Sequence, residues 1–403
     1  MKVLFLSGEF PPQVGGVGDY TALLAGALQE QGVQVVVLTS RRVRVAKQPF
    51  AVHSRMPHWG WSAWLTALRV AREEGPDVVH LQYQTAAYAM HPAVCLLPAW
   101  LRGKGYNVAT TFHDLREPYV FPKAGPLRRL LTRTLVGSSA AVVAVTPEDL
   151  APLRDWLEPA LDRLHAIPIG SNIVPPAAAP TPGERVAFRA RFGVLADEAL
   201  VGYFGMLNES KGLETLLESF AQLLSGGVAC RLLIIGGEAG ASDPTNEGAR
   251  RRFVEALSAR GLAEVVSFTG HLEPAGVSLA LASLDVCLLP YREGVSLRRG
   301  SLMAAMAHGC SIVTTTPSAP AAPAAPGLPL PAGERDVLLV PSEDAVALAV
   351  AARRLVSDPE LRRRLGEEAQ ALARSFTWDK IARAHVSLYE TLIAAAGRRP
   401  VAV

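Results

Sequence analysis

Short apolar runs recur along the chain, separated by longer stretches whose apolar residues fall three and four positions apart. KVLFLS (2–7), VQVVVLTS (33–40), DVVHLQY (77–83), NVATTFHD (107–114), AAVVAVT (140–146) and HAIPIG (165–170) form a first series. They are nearly continuously apolar, as strands covered on both faces must be. Between the first two, DYTALLAGALQEQG sets Leu24, Ala27 and Leu28 on one helical face, with Gly32 as the stop. Strand, helix and strand in repeated alternation predict a parallel sheet with right-handed crossovers.

The pattern breaks at IVPPAAAPTPG (173–183), rich in proline and alanine and without period, which reads as an interdomain linker. It then restarts with LVGYFGML (200–207), a helix from about Gly212, ACRLLIIGG (229–237), VVSFTG (265–270), DVCLLPY (285–291) and CSIVTTT (310–316). After PSAPAAPAAPGLPLPAG (317–333), an exposed loop by composition, come DVLLVP (336–341) and three helical segments. The expected organisation is a first α/β domain over 1–172, a linker over 173–190, a second α/β domain over 191–376 and a terminal helical stretch over 377–403. Two such halves predict ligand binding in a cleft at the carboxyl ends of the strands.

Composition narrows the function classes. The 403 residues are 49% apolar and 19% charged, enough for two cores and against bulk disorder. A net charge of +3 and a pI near 8.7 lack the concentrated field of a dedicated nucleic-acid binder. No apolar run is long enough to span a bilayer, and MKVLFLSGEFPP reads as a buried first strand rather than a leader. Cys95, Cys230, Cys287 and Cys310 are scattered without metal-like spacing, so structural thiols of a cytoplasmic protein are expected.

Three stretches carry candidate chemistry. In PPQVGGVGDY (11–20), Gly15 and Gly16 stand between a strand and a helix, where unpaired amides and the helix dipole favour an anion. A tight turn explains the same glycines, and Thr21 breaks the dinucleotide fingerprint. In TTFHDLREPY (110–119), His113 and Asp114 close a strand, where parallel sheets gather catalytic residues, although Asp114 also suits a cap. His80 and His91 share this ambiguity beside Gln82 and Tyr83. In FGMLNESKGLETLLESF (204–220), Lys211 opens an amphipathic helix with Leu213, Leu216, Leu217 and Phe220 inward. A lysine there opposes the dipole, which a bound phosphate would offset; a solvated lysine is the plain alternative.

In this order and spacing, FPPQVGGVGDYTALLAGALQEQG, the strand-end HD, IPIGSNI, SKGLETLLESF, IIGG, SFTGHL, LDVCLLPYREGVSL, AMAHGCSIVTT and SFTWDKIARAHVSLYE resemble a known family. The chain is similar over nearly its whole length to the retaining glycosyltransferases of family 4 (group 1). The resemblance implies the GT-B fold: two Rossmann-like domains facing each other across a cleft, with the C-terminal helix packing back on the N-terminal domain. It implies transfer of a hexose from a nucleoside-diphosphate sugar to a carbohydrate or lipid-linked acceptor, with the acceptor on the first domain and the donor on the second. It also implies that Lys211 pairs with the donor diphosphate and that Gly15 and Gly16 approach the donor. His113 would bond the transferred sugar, Glu293 would grip its hydroxyls, and amides around Val295, Ser296 and Leu297 would assist. No metal or cofactor is expected, and no nucleic-acid partner.

The chain departs from that pattern at two places. The arginine usual five positions before the lysine is Met206, and the second glutamate that usually holds ribose falls on Ser301 or Ala304. Arg298 or Arg299, in a loop three residues longer than usual, is expected to replace the lost guanidinium, and Ser301 to cap the next helix or meet the ribose. A binding protein that has lost catalysis, or another GT-B enzyme such as an epimerase, is the alternative. WGWSAWLTALRV (59–70) and PLRRLLTRTLVG (126–137) mix apolar residues with arginine, so peripheral membrane contact and ordinary amphipathic helices fit them equally.

Overall fold

The computed structural model describes residues 1–13, 15–115, 125–236, 245–317 and 328–397, with backbone alone at 245–247 and 397. The chain divides into two compact units: Met1–Gly170 with the stretch from Thr377 onward, and Ser171–Pro320 with Pro329–Phe376.

In the first unit the described strands are β1 (Lys2–Ser7), β2 (Gln34–Ser40), β3 (Ala51–Met56), β4 (Val78–Tyr83), β5 (Asn107–Phe112), β6 (Ala141–Ala144) and β7 (Leu164–Ala166). They form one parallel sheet in the order β3-β2-β1-β4-β5-β6-β7. The central strands are the continuously apolar ones. β3 escapes the pattern because AVHSRM lies on an edge, where only partial cover is needed and His53 and Arg55 pair with Glu74 and Glu73. The helix Gly16–Glu30 connects β1 to β2 and buries Leu24, Ala27 and Leu28 as its spacing requires.

The C-terminal helix Trp378–Gly397 packs on this unit, placing Ile381, Ala382, Leu388 and Tyr389 in one core with Val3, Phe5, Leu24 and Leu28. Each fully buried aliphatic side chain contributes about 1.5–3 kcal/mol. The Tyr389 hydroxyl lies 2.6 Å from His80 Nδ1, and His80 Nε2 lies 2.8 Å from Thr111 Oγ1. His80 is therefore a hydrogen-bonded core residue, kept neutral because burial disfavours its charged form. His91 is structural too: its Nδ1 accepts from the Ala93 amide at 3.1 Å.

The second unit repeats the plan with β8 (Ala199–Gly205), β9 (Cys230–Gly236), β10 (Val266–Phe268), β11 (Val286–Leu289), β12 (Ile312–Thr315) and β13 (Leu338–Val340), parallel in the order β10-β9-β8-β11-β12-β13. Residues Pro182–Arg191, half of the stretch that composition assigns to the linker, instead form a helix. A reciprocal capping box between Thr181 and Glu184 starts it, a local signal that outweighs the prolines before it. All four cysteines are free and buried. No described helix is long and apolar enough to cross a membrane.

Candidate functional site

Each sheet reverses its strand order once. The chain runs outward from β8 to β10 and returns to β11 on the other flank of β8; in the first unit it returns from β3 to β4 beside β1. Beyond the carboxyl ends of such a strand pair two loops diverge, which is where open α/β sheets bind ligands.

In the second unit these loops are 206–212 after β8 and 290–299 after β11. They are held together: the Arg292 amide donates to the Ser210 carbonyl at 3.1 Å, and a Cβ on Gly212 would stand 1.9 Å from the Pro290 carbonyl oxygen. Gly212, at φ +67, is the cap of the helix Leu213–Ser225. Lys211 thus ends a separate 3-10 turn, Glu209–Lys211, rather than occupying the first helical turn as its sequence position suggested. The inward positions Leu213, Leu216, Leu217 and Phe220 are as expected.

Lys211 is only 9% exposed. Its Nζ lies 5.0 Å from the centroid of the buried Tyr291 ring, and the Arg299 guanidinium lies 5.1 Å from the same ring. Cation–π attraction to one ring thus holds two positive groups near each other. Burial, then the charge of Arg299, pushes the Lys211 ammonium down to about 7, with Glu293 acting in the opposite sense. Arg299 Nη2 donates to Glu293 Oε2 at 2.7 Å and Nη1 to Ser210 Oγ at 3.4 Å.

Unused donors lie in the same loop as Arg299. Among the described residues, Arg299 Nε and Ser296 Oγ are buried without a hydrogen-bond partner, and the Ser296 and Leu297 amides make no hydrogen bond. Buried polar groups are normally satisfied, so these unpaired donors, in the same 290–299 loop as Arg299, are open to a ligand's acceptors.

Two expectations are corrected here. The Val295 amide is not available, since it donates to the Thr315 carbonyl at 3.0 Å, and the Val295 and Leu297 side chains belong to the core. Ser301 does not cap the helix Gly300–Ala307: Arg299 holds the cap position without a side-chain bond, and Ser301 Oγ instead lies 2.7 Å from the Tyr291 hydroxyl. Ala304, the other register, is fully buried, and neither serine nor alanine supplies a carboxylate. Met206 is exposed; its carbonyl accepts from Tyr203. Arg298 is half-buried, whereas the contacts with Tyr291, Ser210 and Glu293 are those of Arg299.

In the first unit Gly15 caps the helix Gly16–Glu30, and a Cβ on it would stand 2.1 Å from Glu9 Oε2. The chain's own carboxylate therefore approaches the anion-favouring helix end. Glu9 is 6% exposed, and burial followed by repulsion from Asp19 pushes its carboxyl up. Nothing lies within 4 Å of a Cβ on Gly16. His113 stands at the end of β5, its Nε2 3.0 Å from Gln82 Oε1 and its ring edge-to-face with Tyr20 at 4.6 Å. Burial, then His385, pushes its imidazole down to about 3. The LREPY part of 110–119 lies largely outside the described residues, as does most of the proline-alanine run. No three His, Cys, Asp or Glu among the described residues are grouped to hold a metal.

Sequence reasoning missed Tyr291 and Glu9 and gave Gln82 no role. Tyr291 follows an apolar strand and reads as its continuation, and Glu9 lies in a short polar break, so neither carries a local signal.

Two doubly wound parallel units with polar loops at their switch points define the GT-B architecture. Sucrose-phosphate synthase from Thermosynechococcus elongatus superposes with a TM-score of 0.73, at 22% identity over 98% of this chain and 100% of that one. Anabaena HepE in complex with UDP and glucose gives 0.72 at 16% identity, covering 97% and 100%. Within that fold, the model for glycosyl transferases group 1 matches residues 198–358 and that for glycosyltransferase family 4 matches 14–173. The chain belongs to the group 1, family 4 glycosyltransferases. A curated D-inositol 3-phosphate glycosyltransferase of Corynebacterium efficiens is 30% identical over 269 residues, 65% of this chain and 59% of that protein. The chain spans about three fifths of the length of the first curated relatives it matches.

Proposed function

We propose that the protein moves a hexose from a nucleoside-diphosphate sugar to a carbohydrate or lipid-linked acceptor, with retention at the anomeric carbon. The observation that carries this reading is the cluster beyond β8 and β11: Lys211 and Arg299 on the Tyr291 ring, with free donors at Ser296 and Leu297. Support comes from relatives named glycosyltransferases and from HepE structures holding UDP and UDP-glucose.

As the bond from anomeric carbon to diphosphate oxygen breaks, the electron pair leaves with the diphosphate. An acceptor hydroxyl forms the new bond on the same face and gives its proton to the departing phosphate. Fixed cations and N–H dipoles aimed at that growing charge lower the barrier, each typically by about 3 kcal/mol or more. Lys211 and Arg299 supply the cations, Arg299 standing in for the arginine replaced by Met206. Glu293, held by Arg299, meets sugar hydroxyls. In the first unit His113 bonds the transferred sugar, and Gly15 and Gly16 offer backbone without a Cβ. Retention is inherited from the family rather than visible in these residues.

Thermal-shift screening against UDP, GDP, ADP and their sugars, followed by product analysis with a labelled donor, tests the proposal. A ligand bound only by the folded form raises its melting temperature. No shift with any of them would remove the reading. A shift without hydrolysis or transfer would favour a nucleotide-sugar-binding protein, the alternative to which the missing carboxylate at Ser301 and Ala304 points. An epimerised donor would identify the other GT-B alternative.

A cytoplasmic protein touching a membrane face through the first unit is part of the same proposal. The helix Gly125–Ser138 exposes Leu127 and Leu130 beside Arg129 and Arg133, and Trp61 and Leu65 are exposed near the start of the helix Ala63–Glu74. Failure to pellet with anionic liposomes would remove it.

A further inference from the structure

The role proposed for His113 needs a ring with a fixed face and a fixed proton. A neutral imidazole has one N–H and one lone pair, and which nitrogen carries the proton depends on what the other touches. Parallel register places Gln82 opposite Thr111 and Tyr83 opposite Phe112, and the His113 amide extends the ladder by donating to the Tyr83 carbonyl at 2.9 Å. The backbone thereby brings the His113 ring back onto the Gln82 side chain.

Gln82 is fully buried, with Oε1 3.0 Å from His113 Nε2. Its amide nitrogen is buried and has no partner among the described residues. Leaving a polar residue of this kind at the end of a core strand costs stability, and a Leu would fill the space without that cost. Gln82 is not needed to hold the sheet, because the ladder bonds on both flanks of β4 are backbone bonds.

We propose that Gln82 is a positioning residue: its amide oxygen accepts from His113 Nε2–H and so fixes Nδ1 as a hydrogen-bond acceptor for a sugar hydroxyl. The inference rests on the sugar-binding role proposed for His113. Among the described residues, the titratable groups that face the ring are Tyr20 from the helix Gly16–Glu30, His80 beside Gln82 on β4 and His385 from the C-terminal helix, with Asp114 next in the chain. Burial keeps His80 and His385 uncharged and pushes the Tyr20 hydroxyl up. A carboxylate introduced at position 82 would therefore be a new charge directly on Nε2.

The test uses the full chain with 15N-labelled histidine, the His113 signals assigned by their loss in a His113→Gln variant. Wild type is expected to show the Nε2–H tautomer across about pH 6–8, unchanged by protonation because the ring titrates far below that range. Gln82→Leu should give mixed tautomers and lower kcat for UDP-glucose hydrolysis on the order of tenfold, with donor affinity held within about twofold. Gln82→Glu, nearly isosteric, should move the imidazole ionisation up and add an ionisation to the kcat profile absent from wild type. An Nδ1–H tautomer in wild type, or unchanged tautomer and pH behaviour in both variants, would overturn the proposal. If wild type turns over no nucleotide sugar, the functional reading falls while the tautomer result still decides Gln82.

Discussion

Lys211 makes the proposed diphosphate site titratable near neutrality, and the consequence is measurable. Its ammonium sits at about 7 in the free protein. A diphosphate beside it would draw it back toward the ordinary lysine value near 10.4, because an opposite charge favours the charged form. Binding then takes up a proton, and the apparent dissociation constant grows with the unprotonated fraction. With a free value of about 7 and a bound value near 10.4, affinity falls roughly fifty-fold from about pH 7 to 9, with uptake of about half a proton at the lower end and nearly one above pH 8. Other groups leave this window clear: burial pushes Tyr291 up, and arginine does not titrate here.

Calorimetry with a nucleotide sugar that the thermal-shift screen selects, such as UDP-glucose, is the suitable assay below about pH 8.5, because its diphosphate is a diester without an ionisation there and the base is still neutral, and buffers of different ionisation enthalpy report the protons. Lys211→Arg should bind with little pH dependence, and Lys211→Met should bind weakly and without dependence. Wild-type affinity constant from about pH 6.5 to 8.5, or an unchanged slope in Lys211→Met, would refute the coupling. Stability follows the same linkage. Between about 7 and 10.4 the unfolded chain holds a proton at Lys211 that the folded chain lacks, so stability from this group rises with pH through that window.

Arg299→Ala should weaken donor binding by about 10- to 150-fold, the loss of a charge-assisted hydrogen bond worth roughly 1.5–3 kcal/mol, and by more than Arg298→Ala; equal affinities by calorimetry would count against the assignment of Arg299. Gly212→Ala combines a left-handed backbone with a methyl 1.9 Å from the Pro290 oxygen, and should cost roughly 2–5 kcal/mol by urea unfolding, whereas Gly16→Ala, with open space around it, should be tolerated. His113 and His385 stay neutral down to about 3 and 4, so below about pH 6.5 the unfolded chain binds protons that the folded chain refuses; stability should fall steadily from about pH 6.5 to 4 in urea titrations, by about 1.4 kcal/mol per pH unit per histidine once the unfolded imidazole is mostly charged.

What the sequence reveals and hides follows from how far each interaction reaches along the chain. Central strands such as β1, β4 and β8 are readable because burial on both faces demands a local run of apolar residues. The edge strand β3 makes no such demand, and the helix Pro182–Arg191 is hidden by prolines although its cap is local. The position of Lys211 is legible from its motif, but its burial and its neighbours are not, because they come from the pairing of β8 with β11, whose residues are more than 80 positions apart.

That pairing also brings together the two places at which the chain departs from what the family resemblance implies. Gly205, the residue before Met206, places a would-be Cβ 3.7 Å from Ser301, and Ser210 lies within hydrogen-bond reach of Arg299. A guanidinium lost after β8 and one gained after β11 are therefore changes in one neighbourhood. Ser301, one of the two positions to which the family resemblance would assign a ribose carboxylate, is drawn inward to the hydroxyl of the tyrosine that carries both cations. A carboxylate at 301 would lose that bond and stand beside the Tyr291 platform, drawing Arg299 toward itself and away from an anion. On this reading the absent acid and the relocated arginine form one compensated arrangement: Ser301→Glu on its own should weaken donor binding, and should do so less once Met206→Arg restores a guanidinium after β8. Calorimetric affinities for the two single variants and the double variant test it, and a Ser301→Glu variant that binds UDP-glucose more tightly than wild type would show that the two departures are unrelated.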